Sequence, residues 1–189
     1  HGVEGFCGSA VQVALLHDAA WRAQARSAGI AVLHLHALNP YGFSWWRRTT
    51  QENVDLNRNF QDFHRPLPEN PAYDELAALL VPPTWPPSDA VNAALARALA
   101  DRGMRALQEA ITRGQYKHPQ SFFFGGRAPT WSRRTLESLI DDHDLASREE
   151  IGVIDFHTGL GPYGFGDPLC SQMAAPAAMA RMHRWWGES

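Results

Sequence analysis

His1 and Glu4, three residues apart in the run His-Gly-Val-Glu-Gly, are two side chains of the kind that bind zinc. Imidazole and carboxylate are good zinc ligands, and a catalytic zinc site needs about three protein ligands with one position left open. The spacing alone is common, and its plainer reading is chance. Two later stretches add to it. Asn57 and Arg58 lie in Val-Asp-Leu-Asn-Arg-Asn-Phe, residues 54–60, and His157 lies in Asp-Phe-His-Thr-Gly, residues 155–159. Arg47 and Arg48 follow Trp45 and Trp46 in a loop-like stretch. A guanidinium is a planar fork of donors that matches a carboxylate, so these arginines read as anion contacts. They read equally well as a solvated basic loop with structural tryptophans.

The elements that must position these groups follow from hydrophobic periodicity. Residues 5–26 are expected to form a helix, with Val13, Leu16, Ala20 and Ala23 at helical spacing and Ser27-Ala28-Gly29 as the stop. Residues 30–38 and 151–157 are short, nearly continuous apolar runs. They are expected to be parallel strands covered on both faces, with His157 at the C-terminal end of the second, where open α/β sheets collect ligands. His34 and His36 share one face of the first strand, where packing and hydrogen bonds account for them more readily than a role at a site does. Asn39-Pro40-Tyr41-Gly42 reads as a turn, and 43–60 as irregular. A short helix is expected near 71–80. A long one is expected from the N-cap Ser88 to Arg113, weakened at Gly103 and stopped by Gly114. Residues 121–126 read as a short strand or aromatic loop, and 132–145 as a helix capped by Ser132. Residues 158–168 read as a glycine-rich loop, and 174–186 as a last helix broken near Pro176.

A chain of 189 residues, 44% of them hydrophobic, can build one domain with a sizeable core. A formal net charge of −3 gives no reason to expect nucleic acid or an anionic membrane as partner. No apolar run has the length of a membrane span. The two cysteines, Cys7 and Cys170, make no disulfide framework and are expected to be free buried thiols in a reducing compartment. The cytoplasm is therefore the expected location, although the first residue is not Met and an address signal is not legible.

The four stretches taken together are ordered as His-Gly-Val-Glu-Gly, Asn-Pro-Tyr-Gly-Phe with Trp-Arg-Arg-Thr, Val-Asp-Leu-Asn-Arg-Asn-Phe, and Asp-Phe-His-Thr-Gly. In that order the chain resembles the zinc metallocarboxypeptidase family, from His1 to about Gly166, in a branch near the aspartoacylase and succinylglutamate desuccinylase group. The resemblance implies a three-layer α/β/α sandwich with a mostly parallel central sheet, truncated at both ends. It implies a single, incomplete catalytic domain over 1–189 with a helical insertion at about 61–147. It also implies one zinc ion held by His1, Glu4 and His157. Asn57 and Arg58 match the pair that grips a substrate's terminal carboxylate, and Arg47 matches the arginine that steadies the developing oxyanion. Arg48 stands where the family has lysine and would be a further anion contact. Asp155 would orient a ligand histidine, or would be a buried, satisfied carboxylate.

The implied activity is zinc-dependent hydrolysis of an amide near a carboxylate, on a peptide or an N-acyl amino acid. The alternatives are an aspartoacylase-like deacylase and a non-catalytic zinc- or peptide-binding domain. The family's general-base glutamate has no counterpart, since Glu188 follows His157 too closely and in the wrong context. The chain as it stands is therefore expected to be nearly inactive, because a missing base costs about 10²–10⁴ in rate. If the zinc reading is right, neighbouring donor atoms should lie about 3–4 Å apart.

Overall fold

The computed structural model describes residues 1–159, 162–166 and 175–187, which fall in two units, 1–157 and 158–189. Among the described residues there are ten α-helices: α1 (Gly5–His17), α2 (Ala19–Ser27), α3 (Pro40–Ser44), α4 (Leu56–Asn59), α5 (Pro71–Asp74), α6 (Ala77–Leu80), α7 (Asp89–Arg102), α8 (Met104–Thr112), α9 (Trp131–Asp142) and α10 (Pro176–Trp186). Only α10 belongs to the second unit. Pro176 opens it, rather than breaking it, and Gly187 ends it with a positive φ of 83°.

The expected three-layer sandwich is not formed. Among the described residues there is no β-sheet, and the one β-type contact is an isolated parallel bridge between Gln115 and Phe124. Residues 30–38 and 151–157, the two expected strands, make no backbone ladder. The first is tied to α1 by side chains, the Gln12 amide donating to the Leu35 carbonyl at 2.8 Å and Ser9 Oγ lying 2.9 Å from His36 Nε2. Their apolar side chains are largely open, with Ile30 60% and Val153 80% exposed. An apolar run supplies the side chains of a buried strand, but a strand exists only where a neighbour completes its hydrogen bonds in register. Periodicity cannot supply that neighbour.

Helix boundaries also shift, each for a local reason. The expected helix over 5–26 divides at Asp18, whose extended backbone lets its side chain accept from the Trp21 N–H and start α2. Gly103, with φ 76°, divides the expected 88–113 helix into α7 and α8. Ser88 does cap α7, accepting from the Val91 N–H at 3.4 Å. Thr130, not Ser132, caps α9. Asn39-Pro40 is a helix start rather than a turn, because the Asn39 side chain accepts from the Gly42 N–H and Pro40 sits where a missing N–H costs nothing. Cys7 is exposed, not buried. Cys170 lies outside the described residues.

Buried amides do much of the joining in the first unit. The fully buried Asn59 donates to the Gly125 and Ala128 carbonyls and accepts from the Thr130 N–H at 2.9 Å. Asn70 donates to the Ala110 and Gly114 carbonyls while capping α5. Gln115 turns the 115–122 loop back on itself through Lys117, His118 and Phe122. The apolar core is small. Val54, Leu56, Tyr73, Leu76, Ala110 and Phe124 are its main members in this unit. A small core needs its polar groups fully paired, because each unpaired buried one costs about 1–3 kcal/mol.

Candidate metal and anion site

The stretch that carries His1 and Glu4 is set by a close backbone approach. Residues 2–4 form a single 3₁₀ turn that runs into α1. The Val3 N–H donates to the Arg47 carbonyl at 3.2 Å. Gly2, at φ 57°, packs on the backbone of Arg47 and Arg48, and a Cβ on Gly42 would lie 2.5 Å from the Arg47 carbonyl oxygen and 3.0 Å from Gly2 Cα. No side chain fits at either position. Phe6 of α1 stacks on Phe43 of α3, ring centroids 4.2 Å apart, and locks the same junction. From the far end of the unit, Phe156 rests against Gly8 of α1 and brings His157 to the same place.

Two of the three expected ligands meet there. His157 Nδ1 lies 3.1 Å from Glu4 Oε2. The other oxygen of Glu4 accepts from Arg48 Nη1 at 2.9 Å. His157 Nε2 lies 3.0 Å from Asp155 Oδ2. A carboxylate can only accept, and each ring nitrogen of His157 faces one; only the Asp155 contact has hydrogen-bond geometry, which puts the proton of a neutral His157 on Nε2 and its lone pair on Nδ1. His1 is oriented in a related way, with Nδ1 3.2 Å from the Arg48 carbonyl oxygen. A carbonyl too can only accept, which leaves the lone pair of a neutral His1 on Nε2. That atom faces Asp55 Oδ1 at 4.0 Å and is not joined to Glu4 and His157 as a third donor. Among the described residues no three His, Cys, Asp or Glu side chains form a group that could hold a metal.

Two buried side-chain polar atoms among the described residues lack a hydrogen-bond partner: His1 Nε2 and Glu4 Oε2. Glu4 Oε2 is close to His157 Nδ1, but the approach is off the line of a hydrogen bond. Both orphan atoms therefore belong to the expected ligand set. Lone pairs at Glu4 Oε2 and His157 Nδ1 repel one another at 3.1 Å unless a cation or a proton lies between. The joined groups count three carboxylates, Glu4, Asp55 and Asp155, against two guanidiniums, Arg48 and Arg58. With neutral histidines the cluster carries one net negative charge. Donor type, the two orphan atoms and charge are those a divalent cation takes, while His1 Nε2 stands apart from the other two donors.

Asp55 is the centre that residue types alone did not single out. It is fully buried. Its Oδ2 accepts from Arg48 Nε at 3.0 Å and from Arg58 Nη1 at 3.3 Å, and its Oδ1 caps α4 at the Asn57 N–H. Its place between His1 and two arginines could have been suspected only from its position two residues before Asn57. Arg58 also donates from Nη2 to the Thr112 carbonyl at the end of α8. Asn57 is exposed beside it. The Arg47 side chain is exposed, and it is the Arg47 backbone that braces the site. Arg48, expected to contact a substrate anion, is engaged with the protein's own Glu4 and Asp55. His36 is satisfied away from the site, 2.9 Å from Ser9 Oγ. Glu188 lies outside the described residues.

The chain belongs to the DUF2817 family, described as a protein of unknown function, whose model matches residues 1–189. No curated protein and no solved structure matches the chain. Among the described residues no helix is long and apolar enough to cross a membrane.

Proposed function

We propose that this protein is a zinc-dependent hydrolase of the metallocarboxypeptidase type, cleaving an amide bond near a substrate carboxylate. The observation that carries the reading is the 3.1 Å approach of His157 Nδ1 to Glu4 Oε2, a buried oxygen with no hydrogen-bond partner. Glu4, His157 and His1 would hold the ion, with Asp155 and the Arg48 carbonyl fixing the two imidazole tautomers. A zinc ion bound there supplies Lewis-acid polarisation of a carbonyl and a water of lowered pKa.

The chain's own residues do the rest. Arg48 holds Oε1 of Glu4, so that Oε2 is the oxygen presented. Arg58 commits two of its five N–H bonds to Asp55 and Thr112 and keeps three for a carboxylate, beside the exposed Asn57 amide. The exposed Arg47 is the cation we assign to the oxyanion. Peptides with a free C-terminus and N-acyl amino acids both fit this arrangement. An exposed free Cys7 suits a reducing compartment, and the cytoplasm is the location we assign.

The test is the metal itself. Purified protein, stripped and titrated with zinc in a calorimeter, should bind about one ion per chain. Glu4→Gln and His157→Gln should each abolish that binding while retaining the helical circular dichroism spectrum. A wild-type chain that binds no zinc, or variants that bind it as well, would remove the hydrolase reading. A panel of free-C-terminus peptides against N-acyl amino acids then separates peptidase from deacylase.

A further inference from the structure

Residues 122–124 are three successive phenylalanines with three different fates. Phe122 is 54% exposed and Phe124 is in the core, but the half-buried Phe123 faces the ion-pair network. Its ring lies under both arginines, with the Arg58 guanidinium carbon 5.1 Å and that of Arg48 5.7 Å from the ring centroid. Its backbone is in the left-handed region at φ 54°, a costly place for an aromatic residue. Such a conformation persists only where its surroundings impose it. Here the Gln115 N–H donates to the Phe123 carbonyl, the Asp55 N–H to the Phe124 carbonyl and the Gly125 N–H to the Gln115 carbonyl. Asn53, itself at φ 61°, ties down the start of the loop through the Pro119 and Ser121 carbonyls.

Two guanidiniums sharing one oxygen of Asp55 repel each other. Asp55 attracts both but does not fix the angle between them. An aromatic face beneath both does so, because each cation is drawn to the ring and water is excluded from that side. We propose that Phe123 is a positioning residue that holds Arg48 and Arg58 as one unit. Arg48 then presents Glu4, and Arg58 keeps its remaining donors turned to a carboxylate ligand. The carboxylate use rests on the hydrolase reading above, whereas the pairing of the arginines does not.

Three variants of the full chain test this: Phe123→Gly, Phe123→Leu and Phe123→Tyr. The arginine side-chain Nε–Hε signals of Arg48 and Arg58 report the ring current, and calorimetric titration with N-acetylglycine, with and without zinc, reports the anion site. Phe123→Tyr should keep both signals and an affinity within about twofold of wild type. Phe123→Leu and Phe123→Gly should shift both Hε signals together and weaken N-acetylglycine by roughly tenfold, because the loosened arginine must be ordered again on binding. Phe123→Gly should lower Tm less than Phe123→Leu does, since glycine takes φ 54° freely and leucine keeps the strain. Phe123→Gly and Phe123→Leu variants with unmoved Hε signals, or a Phe123→Gly variant that loses Tm and keeps its affinity, would overturn the proposal and leave Phe123 as packing alone. If wild-type protein shows ring-shifted signals but binds no N-acetylglycine, the hydrolase reading fails and the pairing stands.

Discussion

Glu4 Oε2 and His157 Nδ1 lie 3.1 Å apart, although they come from opposite ends of the first unit, and each is turned by a different neighbour. Arg48 occupies the far oxygen of Glu4, and Asp155 occupies the far nitrogen of His157. The two remaining lone pairs are left facing one another. A proton or a cation between them would relieve that contact, and the first two predictions follow from the cation we propose there.

Asp155 acts on the ion only through His157. Asp155→Asn should therefore weaken zinc binding by about 10-fold to 100-fold, far less than loss of Glu4 or His157. Calorimetric titration checks this. An Asp155→Asn affinity equal to wild type would show that the 3.0 Å contact does not fix the ring.

Asp55 is buried under two guanidiniums. Asp55→Asn keeps the cap on the Asn57 N–H but leaves Arg58 without a carboxylate and Arg48 with Glu4 alone. The expected loss is about 3 kcal/mol, at the low end for a broken buried pair because both arginines are partly open to solvent. Urea unfolding measures it. Arg48, no longer held at Nε, should lose its fixed angle to Glu4, so zinc affinity should fall in the same variant.

Gly42→Ala places a methyl group on the Arg47 carbonyl and the Asn39 amide. The strain should cost about 2 kcal/mol and move the 47–48 backbone that braces the 3₁₀ turn. Lower Tm together with weaker zinc binding is the expected pair of results. Loss of Tm with unchanged zinc binding would separate the brace from the site.

Asp74 lies away from the site and sets a pH dependence. Hydrogen bonds from Lys117 and then His118 hold its carboxyl below the usual range, against a smaller opposing effect of burial. Its folded pKa is depressed, so its stabilisation is complete above the unfolded value of about 3.9 and is lost as pH falls through the lower folded value. Lys117 is raised by the same hydrogen bond, so its share is present at neutral pH and is lost as pH rises through its folded pKa, above 10.5. Tm measured against pH should fall less steeply below about pH 4 in Asp74→Asn than in wild type. Parallel curves would show that the pair does not couple to folding.

Ser88 was legible as a cap at a single residue, whereas Gly103, read as a weak point inside one helix, separates two, and Pro176, read as a break, opens α10. The candidate ligands and arginines were legible as residue types, since zinc and carboxylates accept few partners. Other features depended on distant chain. Residues 30–38 have the composition of a buried strand, but no neighbour completes a ladder. Asp18 divides a helix whose apolar spacing runs straight through it. Arg47 and Arg48 are adjacent and chemically alike, and only packing turns Arg48 onto Glu4 and Asp55 while leaving Arg47 exposed. Three phenylalanines in a row part the same way, one to solvent, one to the arginines and one to the core. The sequence by itself determined which groups could bind a cation and an anion, because that is a property of each side chain. Tertiary structure decided which of them meet, through the Gly2–Gly42 backbone contact, the buried Asp55 and the strained Phe123, because meeting depends on the shape of chain far away along the sequence.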